Sequence, residues 1–101
     1  MPASYRIRFT VNAAGQLEEI FDYIRRDSPQ NAARMIQRLL DAIDSLDLFP
    51  HRYKVLEDIE TFGEEVRSMP VPPYLVRYHI DDARLAVTVV SVRHGARRPG
   101  L

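Results

Sequence analysis

Apolar and basic positions alternate at the start of the chain, with Tyr5, Ile7 and Phe9 on one side and Arg6 and Arg8 on the other. A period of two is that of a half-buried strand. The period then changes: Ala13, Leu17, Ile20, Phe21 and Ile24 recur at helical spacing through about Arg26. Thr10 or Asn12 supplies the N-cap. Asp27-Ser28-Pro29 stops this helix and starts another, because serine caps well and proline suits the first helical position. The second helix runs to about Asp47, with an apolar stripe of Ala32, Ile36, Leu39, Leu40, Ile43 and Leu46, and Leu48-Phe49-Pro50 ends it. Two helices joined by so few residues lie antiparallel. Each has a single stripe, so the pair needs a further apolar surface to cover, and a sheet is the natural one.

Residues 51–65 show no clear period. Three strand-like runs follow. In Val66-Arg67-Ser68-Met69-Pro70-Val71 the proline marks an edge or a strand end. In the next run Tyr74, Val76, Tyr78 and Ile80 alternate with Leu75, Arg77 and His79. After the turn Asp81-Asp82-Ala83-Arg84, the stretch Leu85 to Val92 is apolar on both faces and reads as the central strand. The expected fold is α+β in the order β-α-α-β-β-β. It is a helical hairpin on one face of a mostly antiparallel four-stranded sheet, forming one domain over residues 1–101. The uncovered face carries Arg77 and His79 and is rimmed by Arg93, Arg97 and Arg98.

Composition narrows the function classes. Apolar residues make up 46% and charged residues 28% of 101 positions, which fits one globular domain and no more. No apolar run approaches the ~20 residues that span a bilayer. The start has no signal-peptide core. There is no cysteine, which excludes disulfides and thiolate zinc sites. A cytoplasmic location without membrane contact is expected. Formal net charge is zero, which argues against nucleic-acid binding by bulk charge. The charge is unevenly placed: residues 57–65 hold five acids and no base, while Arg84, Arg93, Arg97 and Arg98 close the chain with no acid among them. Lys54 is the only lysine, and an arginine-dominated set suits planar, bidentate recognition.

Three blocks carry a resemblance: the helix Leu17-Glu18-Glu19-Ile20-Phe21-Asp22-Tyr23-Ile24, the pair Val66-Arg67 with the strand Pro73 to Tyr78, and Val92-Arg93-His94-Gly95-Ala96-Arg97. In this order the chain resembles the RelE/ParE superfamily of bacterial toxins, with the last block closest to the ParE-like branch. The resemblance implies the toxin of a type II toxin–antitoxin system, of the plasmid-stabilisation kind, silenced by a cognate antitoxin that wraps around it. Operator DNA would be met only through the antitoxin. The ParE-like branch poisons DNA gyrase by binding. The RelE-like branch cleaves mRNA on the ribosome with basic residues and a tyrosine or histidine around the scissile phosphate. An inert homologue that only binds antitoxin is a third expectation. The neutral charge, the single loop lysine and the absence of a tyrosine after His94 place the expectation with the gyrase branch.

Individual residues each have a functional and a structural reading. His94 is either a general base of near-neutral pKa or a strand-end histidine bonded to main chain. The structural reading leads, since no tyrosine or second base follows it. Arg97 holds a phosphate or carboxylate, or forms a rim ion pair with the acids of residues 57–65. Arg67 joins Arg97 on the open face, or binds the main chain of a neighbouring loop. In a nuclease, His94, Arg97 and Arg67 would be the catalytic set. Otherwise Arg67, Arg77, His79, Arg93, Arg97 and Arg98 are the expected target- or antitoxin-binding residues. No cofactor is expected, and no metal, because His51, His79 and His94 lack ligand spacing.

Overall fold

The structure is a computed structural model that describes residues 4–56 and 65–95. Strand β1 (Arg6–Phe9) leads into helices α1 (Val11–Arg25) and α2 (Pro29–Asp44). Strands β2 (Arg67–Val71), β3 (Tyr74–Asp81) and β4 (Ala86–His94) follow as a meander. The four strands form one sheet in the order β1-β4-β3-β2. β4 is central, antiparallel to β3 and parallel to β1. The helical hairpin covers one face, so the expected α+β architecture is the observed one.

The start and stop signals act where the chain places them. Thr10 caps α1, its hydroxyl accepting from the Ala13 N–H at 3.0 Å. Ser28 caps α2 through the Asn31 N–H at 3.2 Å, with Pro29 in the first helical position. The second helix is shorter than expected: regular α geometry stops at Asp44, and Ser45–Asp47 tightens into a 3₁₀ turn, a common way to close a helix end. β4 begins at Ala86 rather than Leu85, because Leu85 has φ 50° and belongs to the turn. Residues 51–56 are more ordered than their lack of period suggests. Val55 bridges Arg67, and the Leu56 N–H donates to the Val66 carbonyl at 2.7 Å, so this segment lies along the outer edge of β2.

The core lies between the hairpin and the covered face. Ala13, Leu39 and Ile43 from the helices meet Met69, Val71, Tyr74, Val76, Tyr78, Val87, Val89 and Val92 from the sheet. Register decides which β4 residues take part. Tyr78 pairs with Val89 but Arg77 pairs with Ser91, so Val90 is the extra residue of a bulge. The bulge lets Val89 and Val92 share the covered face while Ser91 and Thr88 share the other.

β1 is short, and beyond Phe9 the edge of β4 is satisfied by helix α1. The Thr10 hydroxyl and Asn12 amide each donate to the Val90 carbonyl at 3.3 Å. Gln16 Oε1 accepts from the Val92 N–H at 2.7 Å. Thr10 therefore caps a helix and anchors it to the central strand. We expect Thr10→Ala to lower stability by about 1 kcal/mol in urea unfolding, and Thr10→Ser to restore most of it.

Candidate functional site

The uncovered face is built by the alternate residues that the core does not use. Reading across β4, β3 and β2, Arg93, Leu75 and Pro70 form one row, and Ser91, Arg77 and Ser68 form the next. A third row runs Arg8, Thr88 and His79 across β1, β4 and β3. Arg6 lies one row further, beside Ala86 and Asp81. Rows two residues apart are separated by about 6.6–6.8 Å along the strands. Four arginines and a histidine thus share one sheet face. Among the described residues the ion pairs are Arg25–Asp22, His51–Asp82 and Arg84–Asp81, so none engages Arg6, Arg8, Arg77 or Arg93. His79 Nδ1 lies 3.1 Å from the Glu65 carbonyl. A carbonyl only accepts, so this ring nitrogen carries the proton.

Arg77, His79 and Arg93 are brought together as the alternation suggested. Arg6 and Arg8 join them, although only the pairing of β1 with β4 reveals it. Arg67 does not join them. It pairs with Tyr78 in register and so faces the covered side. Its guanidinium donates to the carbonyls of His51 at 3.1 Å and Tyr53 at 2.7 Å, which is the structural alternative for this residue. Arg97 and Arg98, and the acids at 57–64 that Arg97 was matched with, lie outside the described residues.

His94 ends β4 on the same side as the core. Register sets Tyr74 opposite it, and the two rings meet edge-on with centroids 5.6 Å apart. No tyrosine follows His94 in sequence, yet one stands beside it across the sheet. Four residues of β3 separate the Tyr74 row from the Tyr78 row that holds Arg67, about 13 Å along the strand. His94 and Arg67 therefore do not converge on one point. Gly95 has a packing role: its N–H donates to the Pro73 carbonyl at 2.7 Å, and a Cβ there would stand 3.2 Å from that same oxygen.

At the opposite end of the strands, the Tyr5 hydroxyl donates to Asp82 Oδ1 at 2.7 Å, and His51 Nε2 lies 3.1 Å from the same carboxylate. The Tyr5 hydrogen bond, aided by His51, holds the Asp82 carboxyl below its ordinary range and raises the Tyr5 phenol. This cluster ties the start of β1 and the Pro50–Arg52 turn to the β3–β4 turn. Among the described residues no group of acids, histidines or cysteines is placed to hold a metal ion, and no helix is long and apolar enough to cross a membrane.

Residues 7–99 match the family described as the ParE toxin of the type II toxin–antitoxin system parDE. The chain belongs to the ParE toxin family. Among its relatives, Toxin RelE2 of Caulobacter vibrioides is 39% identical over 92 residues, covering 91% of this chain and 97% of that protein. The fold is shared with the chromosomal ParDE toxin–antitoxin system of P. aeruginosa (TM-score 0.70, 17% identity, covering 90% of this chain and 96% of the other). It is also shared with the RelBE2 toxin–antitoxin complex of Mycobacterium tuberculosis (TM-score 0.66, 27% identity, covering 94% and 95%). The ParE-family domain described above is thus a toxin of a type II toxin–antitoxin system, and both names, ParE and RelE, occur among its relatives.

Proposed function

We propose that this toxin acts by binding and poisoning DNA gyrase, and that a cognate antitoxin neutralises it. The observation that carries the reading is the placement of Arg67. Its guanidinium is committed to two main-chain carbonyls, on the covered side and about 13 Å along the strand from His94. Phosphoryl-transfer catalysis needs cations and an acid or base converging on one phosphate, and these two residues do not converge. The arginines are instead spread over the uncovered sheet face, which suits docking. The antitoxin is expected on the uncovered face and in a groove of ≈ 510 Å³ between the helices, lined by Leu17, Glu18, Phe21, Asp22, Ile36 and Leu40. An apolar groove between helices suits an amphipathic partner helix. Operator DNA would be reached only through that antitoxin, and the site of action would be the cytoplasm.

The pairing of Tyr74 with His94 supports a second reading, cleavage of mRNA on the ribosome. The two readings separate in one experiment. The purified chain is assayed for gyrase supercoiling with trapped cleaved DNA, and in parallel for mRNA cleavage on translating ribosomes, with His94→Ala beside the wild type. A poison inhibits supercoiling, accumulates double-strand breaks, is reversed by antitoxin, and keeps most of its potency in His94→Ala. No effect on gyrase from a folded sample, with mRNA cleavage that falls on the order of 10²–10⁴-fold in His94→Ala, overturns the gyrase reading.

A further inference from the structure

Ser91 and Arg77 face each other across β4 and β3 on the uncovered side. Ser91 is 5% exposed and is the one polar residue of the described chain that is fully buried. Its Oγ has no hydrogen-bond partner among the described residues, and neither does the buried Nε of Arg77. Two adjacent buried donors without an acceptor are rare in a folded protein, and among the described residues no oxygen is placed to accept from them. Neither the core, which lies on the opposite face, nor the helix caps use them.

We propose that Ser91 and Arg77 form an oxyanion pocket that receives a carboxylate from an extended, acidic segment of a protein partner. The hydroxyl and the guanidinium Nε–H would donate to the carboxylate, the pairing for which arginine is best shaped. The neighbouring rows repeat the charge. Arg93 lies one row to one side on the adjoining strand β4, about 6.6–6.8 Å along the strands, and Arg8 lies one row to the other side on β1, two strands from Arg77. The row step of about 6.6–6.8 Å is also the spacing of alternate side chains in an extended segment, so acids at every second position along β3 and β4 meet Arg77 and Arg93 in successive rows. Leu75 and Pro70 give the face an apolar floor beside Arg93. The observations favour protein over nucleic acid. No phenylalanine, tyrosine or tryptophan stands in the rows of Arg93, Arg77 and Arg8 to stack a base, and the chain has no net positive charge to hold a phosphate backbone. The pocket is argued from the sheet alone and does not depend on gyrase being the target.

The test titrates the full chain with a synthetic peptide of alternating glutamate and threonine. The controls are the same peptide with glutamine for glutamate and a single-stranded thymidine oligonucleotide. Binding is read by calorimetry, and by NMR shifts of the Ser91 amide and the Arg77 Nε–H. The acidic peptide is expected to bind and shift both signals, with the glutamine peptide silent. Arg77→Gln and Ser91→Ala should each weaken binding roughly tenfold or more, while Arg25→Gln on the helical hairpin leaves it unchanged. Removing an unpaired buried hydroxyl leaves no further group unsatisfied, so Ser91→Ala should keep or raise the Tm, and its loss of binding cannot be put down to misfolding. The proposal is overturned if the glutamine peptide binds equally, if folded Ser91→Ala and Arg77→Gln bind as the wild type does, or if only the oligonucleotide shifts these signals.

Discussion

Replacing Leu39 with alanine should lower the unfolding free energy by about 2–5 kcal/mol. Leu39 has no exposed surface and lies in the contiguous core between α2 and the sheet. Truncation removes its transfer free energy and leaves a cavity that the rigid sheet side of the core cannot fill by collapse. A domain of this size has a total stability of roughly 5–15 kcal/mol, so the substitution removes a large share of it. Urea unfolding followed by far-UV circular dichroism is the suitable measurement, because the chain has no tryptophan. Val11→Ala is the contrast: Val11 is 92% exposed, and its truncation should fall within about 0.5 kcal/mol of the parent. A near-neutral Leu39→Ala would mean that α2 is not seated on the sheet as described.

The positions that such tests probe were largely legible from period alone. Alternation in Tyr74–Ile80 separates the core-facing Tyr78 from the open-facing Arg77 and His79, and the 3.6-residue stripe finds Leu39 and Ile43. Ser28-Pro29 marks a helix start because both residues act locally. What the sequence hides is whatever depends on partners far along the chain. β4 is apolar on both sides, so its pattern does not say which residues face the helices. The bulge at Val90 decides that, and only the bulge puts Ser91 opposite Arg77. Arg8 reads as a solvated strand residue until the parallel pairing of Phe9 with Val89 sets Arg8 in the row of Thr88 and His79. Tyr74 becomes the neighbour of His94 through register, not through any local motif. Arg67 looks like a free arginine at a strand start, and two carbonyls sixteen and fourteen residues earlier consume it. Each of these is a long-range contact between residues whose local sequence is compatible with several registers.

The same group of long-range bonds makes the protein sensitive to alkali in a predictable window. The Tyr78 hydroxyl is buried and donates to the Pro50 carbonyl at 2.5 Å. Burial, only partly opposed by Arg67 and Arg52, pushes its phenol up from 10.0 to about 12. The folded state therefore holds the proton more tightly than the unfolded chain. Below about pH 10 both states are neutral at this site and its contribution to stability is complete. As pH rises from about 10 to 12 the unfolded chain ionises first, and stability falls by about 2–3 kcal/mol, at 1.36 kcal/mol per pH unit. Tyr78→Phe separates the parts of this effect. At neutral pH it should cost about 1–3 kcal/mol, because the Pro50 carbonyl is left buried without a donor. Between pH 10 and 12 it should lose less stability than the parent, because the residue that ionises with difficulty is gone. The comparison with Tyr78→Phe also removes the contribution of Tyr5, whose raised phenol is common to both proteins. Parallel alkaline curves for the two would show that Tyr78 is not held neutral by the fold. The consequence reaches beyond stability. Pro50 begins the turn whose His51 and Tyr53 carbonyls hold Arg67, so the Tyr78 bond fixes the acceptors that keep Arg67 on the covered side. Loosening that turn is the structural route by which Arg67 would be released, and a gain of ribosomal mRNA cleavage in Tyr78→Phe would identify Arg67 as a group that the fold restrains.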